Sequence, residues 1–220
     1  MRLRNRPWAA PELAGCSYYV SDFTRYCGRW REAFGNDAPI WLEIGCGKGM
    51  YLAGMAPAHP EINFIGADIK SLMLAYARRN LEEAFSAAGR EVNNVILLSV
   101  DAKRILSAFS EEDVIDRIIL NFSNPWPKPP HHKRRLTHTR LLENYKRFLK
   151  SGGSVEFKTD NDELFRDSLT YFAEAGFDLE EAYEDLYSVR EVDPSIVTEH
   201  ESKFMEMGLP IHYIRAVLKG

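Results

Sequence analysis

Short apolar runs alternate with stretches of helical periodicity along the whole chain. Ile40–Ile44, Ile62–Ala67, Val95–Val100, Ile115–Phe122 and Ser154–Lys158 read as buried strands, each bounded by glycine, proline or polar turn residues. Two further strands are expected within Asp178–Leu186 and over Ile211–Leu218. Between them the pattern predicts helices from Gly49 to about Ala56, ended by Pro57 and Pro60, and from Ser71, as cap, to about Ala88, closed by Gly89. A short helix over 102–109 follows, then one over Thr137–Lys150 capped by Thr137 and one over Asn161–Ala175 stopped by Gly176. Ahead of the first strand, Ser17–Phe34 reads as an aromatic-rich amphipathic helix and residues 1–15 as a flexible basic arm. Strand and helix in strict alternation imply an α/β fold, a doubly wound and mostly parallel sheet with helices on both faces, in one domain over 1–220.

Composition narrows the class. Hydrophobic residues make up 45% and charged residues 27%, ordinary for a globular chain. No apolar run approaches the roughly 20 residues of a membrane span, and the basic N-terminus lacks an apolar signal core, so a cytoplasmic protein is expected. Three cysteines, Cys16, Cys27 and Cys46, form no CxxC pair, which speaks against a disulfide framework and against zinc; no metal is expected. The net charge of −4 hides an asymmetry: eight lysines and arginines fall between Lys128 and Lys150 against one acid, Glu143. A basic patch on an acidic chain is a footprint for nucleic acid, although Arg140–Lys150 by itself reads as a solvated helix face.

Two stretches carry chemistry. WLEIGCGKG sets Gly45, Gly47 and Gly49 directly after an apolar strand, where glycine permits positive φ and the following helix start offers free N–H groups. The next strand ends in Asp68, placed to accept the hydroxyls of a ribose. Asp101 follows the third strand, where a helix cap and a ligand carboxylate are both open to it and can hold together. The second stretch is NFSNPWPKPPHHKRRL, Asn121–Leu136, at the end of a buried strand. Four prolines within six residues predict an extended, rigid backbone, and Trp126 beside a cationic run suits a base-and-phosphate partner.

Strand, GxGxG, strand and acid in this order resemble class I S-adenosylmethionine-dependent methyltransferases, a Rossmann-like fold. That resemblance implies S-adenosyl-L-methionine as cofactor, with Glu43, Gly45, Gly47 and Gly49 facing its methionine end, Asp68 and Ile69 its ribose side, and Asp101 and Ala102 its adenine. The string NFSNPWPK, then HHKRRL, FKTDN (Phe157–Asn161) and TEHE (Thr198–Glu201) resembles the bacterial tRNA (guanine-N7-)-methyltransferase family over nearly the whole chain. The family implies methyl transfer to N7 of a guanosine in the variable loop of tRNA. Its pattern gives Lys128 the guanosine or its phosphate, Asp160 and Thr198–Glu201 the guanine, and His131, His132, Lys133, Arg134 and Arg135 the RNA backbone. Asp160 reads equally well as the cap of the helix behind it, and Glu201 without the motif reads as solvated. Asn124 stands at the catalytic position, also lining the cofactor site, where family members carry aspartate; His200 stands where tyrosine is usual. Two alternatives remain at this stage: a methyltransferase for another base position or a small amine, and a non-catalytic tRNA-binding protein.

Overall fold

The computed structural model describes residues 6–191, 197 and 199–220. An eight-stranded sheet runs through it. Its strands are β1 (Tyr19–Val20), β2 (Ile40–Ile44), β3 (Asn63–Asp68), β4 (Val95–Ser99), β5 (Ile115–Asn121), β6 (Leu149–Thr159), β7 (Phe177–Tyr183) and β8 (His212–Leu218). The order is β1-β4-β3-β2-β5-β6-β8-β7, parallel except at β8, which pairs antiparallel with β6 and β7. The chain therefore leaves β2 in one direction for β3 and β4, then returns to its other side as β5. A crevice opens at the C-terminal ends of β2 and β5, at this switch point.

Side chains alternate across the strands and build two apolar layers. Leu42, Ile44, Ile118, Leu120 and Phe157 pack on one face with Leu142, Tyr145 and Phe172. The last three come from α5 (Thr139–Tyr145) and α6 (Asp162–Glu174). Phe64, Leu97 and Ile119 pack on the other face against α3 (Met50–Ala58) and α4 (Ser71–Ala87). Glu43 and Lys158 are the buried charged residues on central strands of this sheet. Among the described residues no helix is long and apolar enough to cross a membrane.

Several expectations change. Helix α3 runs through Pro57 to Ala58, and α4 begins at Ser71 with Lys70, not Ser71, at the cap position. Residues 9–14 form a helix, α1 (Ala9–Ala14), rather than a free arm: Ala9 and Leu13 are buried against α4, and Glu12 pairs with Arg78 at 3.2 Å and Arg79 at 2.5 Å. Residues 1–5 lie outside the described residues. Ser17–Phe34 is not one helix. Tyr19 and Val20 pair with Leu97 and Leu98 as an edge strand, and only α2 (Trp30–Phe34) is helical. The break falls at Gly28, φ +79°, where Asp113 accepts the N–H groups of Gly28 and Trp30 at 2.7 and 3.1 Å. Finally, α5 begins at Thr139 with His138 as its cap, because Thr137 turns inward to Ser168 at 2.7 Å. It stops at Tyr145, since β6 already begins at Leu149.

Candidate active site

The glycine turn after β2 is latched to the end of β3. Gly45 and Cys46 donate their N–H groups to the Ala67 carbonyl at 2.7 and 3.1 Å, and Gly47 donates to Asp68 Oδ2 at 3.0 Å. All three glycines have positive φ, +83°, +54° and +68° for Gly45, Gly47 and Gly49, which side chains would oppose. Asp68 also accepts from the Lys70 N–H at 2.7 Å through its other oxygen. Burial raises its carboxyl above the usual range against the pull of these backbone donors. With the Ile69 N–H as a third backbone donor, the carboxylate still keeps acceptor capacity for a further one.

Glu43 lies beneath the turn. Asn121 at the end of β5 donates its amide to Glu43 Oε1 at 3.1 Å, whereas Oε2 is buried without a partner among the described residues. Burial pushes this carboxyl up to about 8. Both groups border a cavity of about 410 Å³ that also takes in Gly45, Gly47, Met50 and Phe122. Lys203 and Phe204 of α7 (Glu199–Glu206) close one side of it. On the neighbouring strands, Ile69 stands 59% exposed beyond Asp68. Asp101 caps a 3₁₀ helix, Ala102–Ser107, by accepting the Lys103 N–H at 3.0 Å. The cap reading of Asp101 thus holds, and one oxygen stays available. Burial also drives the Cys46 thiol far up, so it is no nucleophile.

The proline-rich loop is held more firmly than its prolines alone require. Phe122 and Trp126 sit in the left-handed region, φ +47° and +44°, a costly conformation for aromatic residues. Asn124 supports the second by accepting the Trp126 N–H at 3.0 Å, so its side-chain oxygen is engaged within the loop itself. Trp126 packs against His131, ring centroids 5.9 Å apart, and under the Arg134 guanidinium at 5.0 Å, so the loop covers part of the surface expected to meet a base. Beyond it, the expectation of extended backbone fails. Pro129–Arg134 forms a 3₁₀ helix, which tolerates Pro129 and Pro130 because its first N–H groups need no partner.

Arg135 corrects the sequence reading outright. It is fully buried, donates to the Pro125 carbonyl at 2.7 Å, and pairs with Glu163 at 2.7 Å and with Asp167, both on α6. A side chain without exposure cannot run along an RNA backbone; it is a strut between loop and helix. His132 belongs to the same cluster, its Nε2 3.0 Å from Arg135 and 3.4 Å from Glu163. His132, Glu163 and Asp167 gather metal-type ligand atoms, but the Arg135 guanidinium already supplies their cation. Lys128, Lys133 and Arg134 are exposed and form no ion pair among the described residues, while His131 is half-buried with its Nδ1 unpartnered.

The last motifs meet at the end of β6. Asp160 is exposed, and the cap of α6 is its neighbour Asn161, which accepts the Leu164 N–H at 2.8 Å; the cap reading of Asp160 therefore falls. Thr198 lies outside the described residues. Glu201 is not solvated: it is fully buried and pairs with Lys158 Nζ at 2.7 Å, and the Tyr187 hydroxyl donates to the same oxygen at 2.8 Å. Sequence reasoning gave no role to Lys158, Tyr187, Asn121, Lys203 or Phe204. Lys158 had a signal, a lysine next to the apolar Phe157 at the end of an expected buried strand; Tyr187 and Phe204 had none, because only the fold brings them here.

The family model described as "Putative methyltransferase" matches residues 37–214. A tRNA (guanine-N(7)-)-methyltransferase of Clostridium beijerinckii is 50% identical over 217 residues, covering 99% of both chains. One from Ruminiclostridium cellulolyticum is 46% identical over 220 residues, covering 100% of this chain and 93% of its own. Among solved structures, the 16S rRNA methyltransferase KamB superposes with a TM-score of 0.61 at 12% identity, covering 87% of this chain and 93% of its own, a likeness of fold. A variant 16S rRNA (adenine(1408)-N(1))-methyltransferase solved with SAM, from Catenulisporales acidiphilia, gives 0.60 at 17% identity, with coverage of 87% and 90%. With relatives this similar over their full length and a crevice built from the matching motifs, the chain belongs to the tRNA (guanine-N(7)-)-methyltransferase family.

Proposed function

We propose that the protein transfers the methyl group of S-adenosylmethionine to N7 of a guanosine in the variable loop of tRNA. The observation that carries this reading is a cofactor-sized cavity lined by Glu43, the glycine turn and Asn121, with Lys203 and Phe204 of α7, the helix of the last motif, closing one side. The residues fit the cofactor. The unpartnered Glu43 oxygen suits an ammonium group, the glycine turn offers backbone without side chains, and Asp68 has acceptor capacity left for ribose hydroxyls. Ile69 offers apolar surface beside the ribose, with Asp101 and Ala102 placed for the polar edge of adenine. When bound, the cofactor supplies an electrophilic methyl group on a sulfonium.

Guanine N7 holds an in-plane lone pair and needs no deprotonation, so the protein's task is alignment and electrostatic complementarity. Asn124, with its oxygen turned to the Trp126 N–H, serves by shaping the loop rather than as a base. Asp160, exposed at the end of β6, accepts from the N1 and N2 hydrogens that guanine presents and adenine lacks, with Thr198 from the last motif. The fully buried Glu201 of that motif fixes α7 to β6 through Lys158. Lys128, Lys133, Arg134, His131 and His132 take RNA phosphates. Labelled methyl transfer to unmodified tRNA, with and without a guanosine in the variable loop, tests the proposal. Guanosine-dependent label recovered as 7-methylguanosine is expected; label recovered as a methyladenosine, or tight binding without transfer, overturns it.

A further inference from the structure

Two side chains of opposite charge border the cofactor cavity from different elements, Glu43 of β2 and Lys203 of α7. Neither forms an ion pair among the described residues, and Glu43 Oε2 has no hydrogen-bond partner among them either. Lys203 is exposed. Its helix is seated over the cavity by the neighbouring Phe204, whose ring stacks on Phe122 with centroids 6.5 Å apart. The backbone of Lys203 is therefore fixed while its ammonium is uncommitted. A lysine of that kind is by default a solvated cation. The charge balance of the cavity gives this one a task.

The methionine end of the cofactor carries an ammonium and a carboxylate on the same carbon. A site that takes the first beside Glu43 must take the second close by. There an anion meets burial and the charge of Asp68, both of which already oppose ionisation of Glu43 itself. Without a counter-charge its transfer from water is costly. The glycine turn has few donors left to offer. Gly45 and Cys46 give their N–H groups to the Ala67 carbonyl, Gly47 to Asp68, and Gly49 to the Cys46 carbonyl at 2.8 Å. Of the two lysines on the cavity wall, Lys48 is not free, which leaves Lys203. We propose that Lys203 receives the cofactor's carboxylate, so that Glu43 and Lys203 grip the zwitterionic end between β2 and α7. This rests on the reading of the cavity as the S-adenosylmethionine site. It makes the helix that carries the last motif a wall of the cofactor site with a charge of its own to contribute.

The test is calorimetric binding of S-adenosylmethionine and of its decarboxylated form, which keeps the ammonium and the sulfonium but lacks the carboxylate. Two ligands measured against two proteins isolate the one pair of groups in question. Lys203→Met is expected to weaken S-adenosylmethionine about tenfold, as for the loss of a charge-assisted hydrogen bond. The same variant should hold the decarboxylated ligand within about twofold of wild type, which also shows that it is folded. Lys203→Arg should bring S-adenosylmethionine back to within about threefold. Glu43→Gln has a different signature: it should weaken both ligands, since both carry the ammonium, and leave methylthioadenosine, which lacks the amino-acid end, unaffected. A preference for the carboxylated ligand that Lys203→Met leaves at its wild-type value overturns the proposal. So does a loss of both ligands alike, or a preference that disappears in Lys48→Met instead. Wild-type protein that binds no S-adenosylmethionine at all would remove the cofactor reading of the cavity, and the proposal with it.

Discussion

A carboxyl group inside a parallel strand must be neutral, paired or reserved for a ligand, and Glu43 is the residue where these choices meet. Its one hydrogen-bond partner among the described residues is an amide, and burial pushes its carboxyl up to about 8 from 4.5. Folding then takes up a proton between these values. The stability this residue allows is present in full below pH 4.5 and is lost as pH rises to about 8, after which it is constant. Glu43→Gln keeps the Asn121 bond and removes the titration. Its unfolding free energy should exceed wild type by a margin that grows from about pH 5 and levels off above about pH 8, at a ceiling on the order of 5 kcal/mol. A cationic ligand reverses the balance, because it favours the ionised form. Cofactor affinity should therefore climb with pH towards about 8 in the wild type and stay flat in Glu43→Gln, as calorimetry at several pH values would show. Equal slopes in the two proteins would remove Glu43 from the cofactor's charged end.

At the scale of elements, close approach and struts decide more than propensity does. Gly49 starts α3 at φ +68°, and a Cβ there would lie 2.7 Å from the Ala77 Cβ of α4. Gly49→Ala combines backbone strain with a clash between two helices, a loss of about 2 kcal/mol or more in denaturant unfolding, with cofactor binding weakened as the turn shifts. Arg135→Ala should cost about 2 kcal/mol, less than a wholly buried pair, since Glu163 and Asp167 are partly exposed, and should lower transfer more than cofactor affinity by freeing the Pro125 carbonyl. Strand identity was legible in the chain: Ile40–Ile44 falls where its apolar run predicts, and the glycine turn and Asp68 follow in place. The opening segment was not legible, because its aromatic spacing suits a helix while Asp113, distant in sequence, pins Gly28 and Trp30 into a turn. Arg135 misled for a related reason. A cation in a basic run looks solvated until α6 brings two acids to it. Glu201 misled in the opposite sense, since its counter-charge comes from β6 and its second donor from the turn after β7.

For the whole molecule, the charge pattern is sharper than the composition suggests. Of the eight cations between Lys128 and Lys150, four are spent internally: Arg135 on α6, Lys146 on Glu143 at 3.1 Å, Arg147 on Glu111 at 2.9 Å and Lys150 on Asp116 at 3.1 Å. Lys128, Lys133, Arg134 and Arg140 form no ion pair among the described residues, and the first three share one loop on the crevice side of β5. On a chain of net charge −4, long-range attraction to RNA is absent, and binding must come from this cluster. If all four meet phosphates, the logarithm of tRNA affinity should fall with the logarithm of salt concentration at a slope of about −3. Lys133→Ala and Arg134→Ala should each reduce that slope by about 1 and weaken binding of all tRNAs alike. Lys133→Ala should leave the melting temperature unchanged, whereas Arg134→Ala also uncovers Trp126 and should lower it slightly. A slope near zero in filter binding would mean that the tRNA is held by base contacts in the crevice, and an unchanged slope in both variants would move the phosphate path away from this loop.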